Sequence, residues 1–127
     1  MDWIYIVAVA VVIGGLYAWK RSSFVSMELA HKLLRDGAVV IDVRTGSEFA
    51  SGHVPDAVNL DLASIRSEVV KQFPDRSRPM LLHCHSGGRS AIAKMQLKSL
   101  GYNEVHNLGS FRRAAKTHQT FQSSALR

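Results

Sequence analysis

Apolar residues along this chain fall into one long unbroken run, followed by a series of short runs separated by polar turns. The long run, Ile4 to Ala18, reads IYIVAVAVVIGGLYA and carries no charge and no polar face. Trp3 and Tyr5 flank its start, and Tyr17 and Trp19 its end, as aromatic residues flank a membrane helix at its two water interfaces. Trp3 to Trp19 has the length of a short bilayer span, which takes about 17–25 residues. A cleaved leader opens with basic residues and closes on a small-residue cleavage site. Here Asp2 precedes the run and Lys20-Arg21 follow it. The pattern predicts a permanent single-pass anchor over residues 1–21. The positive-inside rule then puts its start outside and the following domain in the cytoplasm, as in a bacterial-type inner membrane.

After Ser22-Ser23 the periodicity changes. Ser26 as N-cap and Gly37 as stop bracket a helix over Met27–Arg35, with Leu29, Leu33 and Leu34 inward. Ala38–Val43 (AVVIDV) is too apolar for a half-exposed strand and predicts one buried on both faces. Thr45–Ala50 makes a turn or short helix, and Val58–Leu60 a short strand. In Ala63–Phe73, Ile65, Val69, Val70 and Phe73 share one side of a helix. Pro74 and Arg76-Ser77-Arg78-Pro79 lead into a central strand at Met80-Leu81-Leu82. A helix over Ser90–Leu100 closed by Gly101, a strand over Glu104–Asn107 and a helix over Phe111–Lys116 complete the pattern. Gln119–Arg127 lacks periodicity and is expected to be a flexible tail. Strands alternating with helices across short connections predict an α/β domain over residues 22–118. Its parallel β-sheet is flanked by helices on both faces and preceded by one transmembrane helix.

Charge and cysteine usage narrow the function. A net charge of +6 on 127 residues would suit a nucleic-acid partner. Yet the basic residues are scattered, with no aromatic interleaving, which points to a solvated or membrane-facing surface and no nucleic acid. The chain has a single cysteine, Cys84. An internal disulfide and an internal resolving thiol are therefore excluded, so whatever the thiolate picks up must leave to another molecule.

That cysteine opens the strongest chemical signal, Cys84-His85-Ser86-Gly87-Gly88-Arg89-Ser90, at the end of the central strand and the start of a helix. Unpaired backbone N–H groups and the positive end of the helix dipole favour an anion there. A thiol so placed loses its proton more easily, and the thiolate is the nucleophile. The paired glycines let successive N–H groups turn inward as an anion nest. Arg89 adds a planar cation suited to a bidentate oxyanion. No metal site is expected: on a strand, neighbours such as His83 and Cys84 point to opposite faces. Asp42, Arg44 and Glu48 are expected to form a polar brace across the corner after the first strand. His53, before Val54-Pro55, reads as the polar anchor of a rigid turn.

Cys84-x-x-Gly87-x-Arg89-Ser90 resembles the active-site loop of the single-domain rhodanese (thiosulfate sulfurtransferase-like) family, which commonly reads Cys-Arg-Ser-Gly-x-Arg-Ser. Ile41-Asp42-Val43-Arg44, Glu48-Phe49 and Gly52-His53-Val54-Pro55-Asp56-Ala57-Val58-Asn59-Leu60 resemble the family's first signature. Leu100-Gly101-Tyr102, Val105 and Asn107-Leu108-Gly109 resemble its last. Related phosphatases have one residue more between Cys and Arg, a wider cradle that admits phosphate. The resemblance implies sulfur transfer through a persulfide on Cys84, from a donor such as thiosulfate to cyanide, a thiol or a protein cysteine, with no metal or organic cofactor. It also allows a persulfide carrier or regulatory module with little turnover of small donors. Asp56 and Ser110 stand where glycines are usual, Ala114 near a common tryptophan, and His85 in place of a frequent arginine.

Overall fold

The computed structural model describes residues 2–126. The elements run α1 (Asp2–Ser22), α2 (Met27–Arg35), β1 (Val39–Asp42), α3 (Gly46–Ala50), β2 (Val58–Asn59), α4 (Ile65–Gln72), β3 (Met80–His83), α5 (Gly88–Ser99), β4 (Val105–Gly109) and α6 (Phe111–Ala125). The four strands pair in parallel in the order β2-β1-β3-β4.

Parallel strands need crossover connections, and these lay helices on both faces of the sheet. That is why every residue of β3 is buried. Met80, Leu82 and Cys84 point to one side and join Ile65 and Val69 of α4 and Ala93 and Leu97 of α5. Leu81 points to the other side and packs with Ala30 and Leu33 of α2 and Ala114 of α6. Both helix groups bury apolar stripes, so β3 is held from above and below as well as laterally.

The pairing of β3 with β4 shifts between Leu82 and His83: Leu82 faces Asn107, but His83 faces Gly109. Such a bulge re-aims the chain where a sheet meets a site. Here it sets the Cys84 N–H on the Gly109 carbonyl at 3.1 Å, which fixes where the strand ends and the loop begins.

Three details differ from the expected pattern. The helix after the loop starts at Gly88 rather than Ser90, because Gly87 takes the N-cap position at φ 99. The stretch from Gln119 onward, expected as a flexible tail, continues α6 through Ala125. It is docked on α2: His31 Nε2 lies 2.9 Å from Thr120 Oγ1, and the His31 and Phe121 rings are 6.0 Å apart. Ala114 and Thr117 form its buried stripe, and a threonine in that stripe hides the helical period in the sequence. Finally, Leu29 and Val70, expected inward on their helices, are exposed. In keeping with the usual glycine at its position, Asp56 holds φ 68, a left-handed conformation that glycine adopts without steric cost.

Departures at the last helix are absorbed locally. Ser110 caps α6 by accepting the Arg113 N–H at 3.1 Å, and Ala114 is fully packed in the α2-facing core. At the other end of the chain, Asp2–Lys20 of α1 is long and apolar enough to cross a membrane, with a mean hydropathy of 1.7 and none of its residues buried inside the protein.

Candidate active site

Cys84 follows the last residue of β3 and is 1% exposed. Its Sγ accepts the Gly87 N–H at 3.0 Å. Burial pushes the thiol up, but the Ser90 N–H and hydroxyl and the N–H groups of Gly87 and Ser86 outweigh it and hold the group below its ordinary value. The loop therefore turns consecutive amides onto one sulfur at the start of α5, where the helix dipole adds positive potential.

Gly87 makes this possible. Its left-handed φ of 99 swings the chain into the helix, and a Cβ there would lie 2.6 Å from Phe24 Cζ. Gly87→Ala is expected to lose stability by roughly 1–3 kcal/mol, and to lower the reactivity of Cys84 as the donor amide swings away. Thermal unfolding and the alkylation rate of the purified variant check both effects.

Ser90 and Asn107 tie the loop to β4. Ser90 has one hydroxyl proton and three acceptors in reach: Asn107 Oδ1 at 2.7 Å, Gly87 O at 3.1 Å and Cys84 Sγ at 3.6 Å. Asn107 Nδ2 donates to the Gly87 carbonyl at 3.2 Å, and Asn107 Oδ1 accepts the Gly109 N–H at 2.9 Å. Asn107 thus holds the glycine that shapes the cradle. The signature that contains Asn107 gives it no site role; its signal in the sequence is an amide between Val105 and Leu108 in a buried strand.

The expected brace divides in two. Asp42 pairs with Arg44, whose Nη2 donates to Asp42 Oδ2 and to the Gly52 carbonyl, each at 2.7 Å. The same guanidinium lies 4.6 Å from the centre of the Phe111 ring. Glu48 instead crosses to Arg89, in a bidentate pair at 2.7 and 2.9 Å. The Arg89 hydrogen bond, then the Thr45 N–H, lower its carboxyl to about 2. Glu48 also completes a capping box with Thr45 at the start of α3. His53 is exposed, stacks on Phe49 at 3.8 Å and has its Nδ1 3.0 Å from the Phe49 carbonyl.

His83 and His85 do not converge. His83 is fully buried on the opposite face of β3 from Cys84, with Nδ1 3.1 Å from the Cys84 carbonyl and Nε2 3.7 Å from Asp42. Burial lowers its pKa, and because a carbonyl oxygen only accepts, Nδ1 carries the proton in that hydrogen bond. His85 is exposed on the loop, and its carbonyl accepts the Phe111 N–H at 3.1 Å. Ser86 pairs with Ser110 in an isolated antiparallel bridge, which links the loop to the cap of α6. Gly88 opens α5. Among the described residues, no group of three or more His, Cys, Asp or Glu side chains gathers as a metal would need.

A thiol in an amide cradle, at the carboxyl end of a central parallel strand, defines an α/β domain equipped for nucleophilic cysteine chemistry. Over residues 26–115 the chain matches the Rhodanese-like domain, and it belongs to that family. It is 36% identical over 98 residues to thiosulfate sulfurtransferase GlpE of Pseudomonas savastanoi pv. phaseolicola, covering 75% of this chain and 91% of that one. To thiosulfate sulfurtransferase PspE of Escherichia coli it is 31% identical over 72 residues, covering 57% and 69% of the two chains. The structure of the human single-domain sulfurtransferase TSTD1 superposes with a TM-score of 0.63 at 26% identity, covering 74% of this chain and 96% of that one.

Proposed function

We propose that the protein is a membrane-anchored sulfurtransferase that carries a sulfane sulfur on Cys84. The amide ring around a buried sulfur carries this reading, because it favours the thiolate and then a persulfide in the same place. Relatives named for thiosulfate sulfurtransfer support thiosulfate as a donor.

In the first half-reaction the Cys84 thiolate attacks the outer sulfur of thiosulfate. A new S–S bond forms, the old one breaks, and sulfite leaves with the bonding electron pair. In the second, an acceptor thiolate or cyanide attacks the outer sulfur of the persulfide and releases Cys84 as thiolate. Since Cys84 is the only cysteine, the acceptor comes from another molecule, in a ping-pong exchange. Treating the purified protein with thiosulfate should add the mass of one sulfur atom to Cys84. An unchanged mass would sink the proposal.

Two further outcomes follow from the site. Iodoacetamide should alkylate native Cys84 at pH values below those needed for the urea-unfolded chain, because the lowered pKa keeps thiolate present as pH falls. Coincident pH profiles would contradict the cradle. Arg89, already shaped for a bidentate carboxylate by its pairing with Glu48, can turn the same fork to the sulfonate-like end of the donor. Arg89→Ala should raise the thiosulfate KM by roughly 10-fold, measured by steady-state kinetics.

Exposed, apolar α1 supports the anchor, and Lys20-Arg21 after the apolar run would put the domain on the cytoplasmic side by the positive-inside rule. It also favours a second reading, in which the domain loads persulfide for a membrane-bound protein acceptor and turns over small donors poorly. Single-turnover loading at full stoichiometry with negligible steady-state thiocyanate formation would select that reading.

A further inference from the structure

Beside the loop lies an open cleft of about 860 Å³. Its lining combines two apolar rings, Phe24 and Phe111, with four basic side chains, Lys20, Arg112, Arg113 and Lys116. No acidic residue lines it among the described residues. The first turn of α6 also lacks an acidic residue, so Arg112 and Arg113 add to the positive end of the helix dipole where a carboxylate would ordinarily relieve it. Arg113 is engaged with the domain, donating to the Val25 carbonyl and lying over Phe24. Arg112 and Lys116 are exposed.

One wall of the cleft is α1 itself, through Tyr17 and Lys20, and Ser86 of the sulfur-binding loop also lines it. An aromatic and basic helix end marks the headgroup layer of a bilayer. Side chains sharing a cleft with that end lie at the same depth. We propose that this cleft seats the phosphate headgroups of anionic phospholipids and turns the mouth of the Cys84 loop toward the membrane surface, an inference that rests on the membrane-anchored reading above. A lipid fits better than a soluble acidic protein because the bilayer that holds α1 already borders the cleft. Each basic residue near an anionic surface contributes about five-fold in association, so the four act together where a zwitterionic surface offers little.

The test uses the full chain in nanodiscs of phosphatidylcholine alone or with about 30% phosphatidylglycerol, where salt near 0.5 M shortens electrostatic reach. Amide hydrogen exchange across residues 111–117 should slow by about 10-fold in the anionic discs. The slowing should vanish at high salt and in the Arg112→Glu/Lys116→Glu variant, whose melting temperature in detergent serves as the folding control. Equal exchange in both discs, or slowing that survives the double substitution, would overturn the proposal. Slowing in phosphatidylcholine discs on adding inorganic phosphate or polyglutamate, but not in anionic discs, would reassign the cleft to a soluble anion or an acidic protein. Alkaline carbonate extraction is run separately. Release of the chain from membranes would remove the anchor, and this inference with it, whereas retention with unchanged exchange removes the inference alone.

Discussion

Replacing Cys84 by serine should lower sulfur transfer by at least about 1,000-fold while leaving the fold in place. The serine oxygen fits the same space and can accept the Gly87 N–H that now reaches the sulfur at 3.0 Å, so the cradle keeps its partner. Reactivity is what disappears. A hydroxyl stays protonated where the thiol ionises, and it forms no persulfide. No second cysteine can take over, since Cys84 is the only one. The comparison is thiocyanate formation per folded molecule, with circular dichroism confirming that both proteins melt cooperatively. Wild-type-like turnover in the Ser variant would mean that sulfur travels by a route independent of this loop.

The largest loss of stability is expected at Asp42. Its carboxylate is fully buried and binds the Arg44 side chain through both oxygens, together with the Arg44 N–H at 2.9 Å. Asp42→Ala leaves a buried guanidinium with the Gly52 carbonyl and the Phe111 ring as its remaining partners. Removing one half of a buried ion pair costs about 3–5 kcal/mol, a large part of the roughly 5–15 kcal/mol that keeps a domain folded. Thermal melting in mild detergent should fall by about 15–30 °C. The double substitution Asp42→Ala/Arg44→Leu should recover part of that loss, since it removes the stranded charge. A single variant that melts with the wild type would show that water reaches and solvates this corner.

The sheet and its order of elements were legible because burial on both faces demands uninterrupted apolar runs, and AVVIDV and MLLH supply them. Helix starts were legible where capping is local, as at Ser26, whose side chain accepts the Leu29 N–H. The chemistry of the loop was legible because glycine spacing constrains the backbone directly. Long-range pairing was not. Glu48 and Arg89 are 41 residues apart, and nothing near Glu48 distinguishes that partner from Arg44, which stands closer in the chain. Asn107 and His83 were hidden for a related reason: a polar residue inside a buried strand shows its role only once the neighbouring element that satisfies it is in place. The far half of α6 escaped because its stripe includes Thr117, which is buried although its hydroxyl is polar and donates to the Arg113 carbonyl at 2.8 Å.

Phe24 joins two parts of the molecule that would otherwise be mechanically separate. It stands shortly after α1, yet its ring covers Gly87 and Gly109, while the next residue, Val25, hydrogen-bonds through its N–H to the Asn107 carbonyl at 2.9 Å. The first helix is thus stitched to the back of the Cys84 loop rather than joined to it through a slack linker. A tug or tilt on the first helix has a short lever arm to the glycine that shapes the amide ring. Trimming the protein beyond this aromatic wedge would remove α1 but also loosen the hinge pin of the amide cradle.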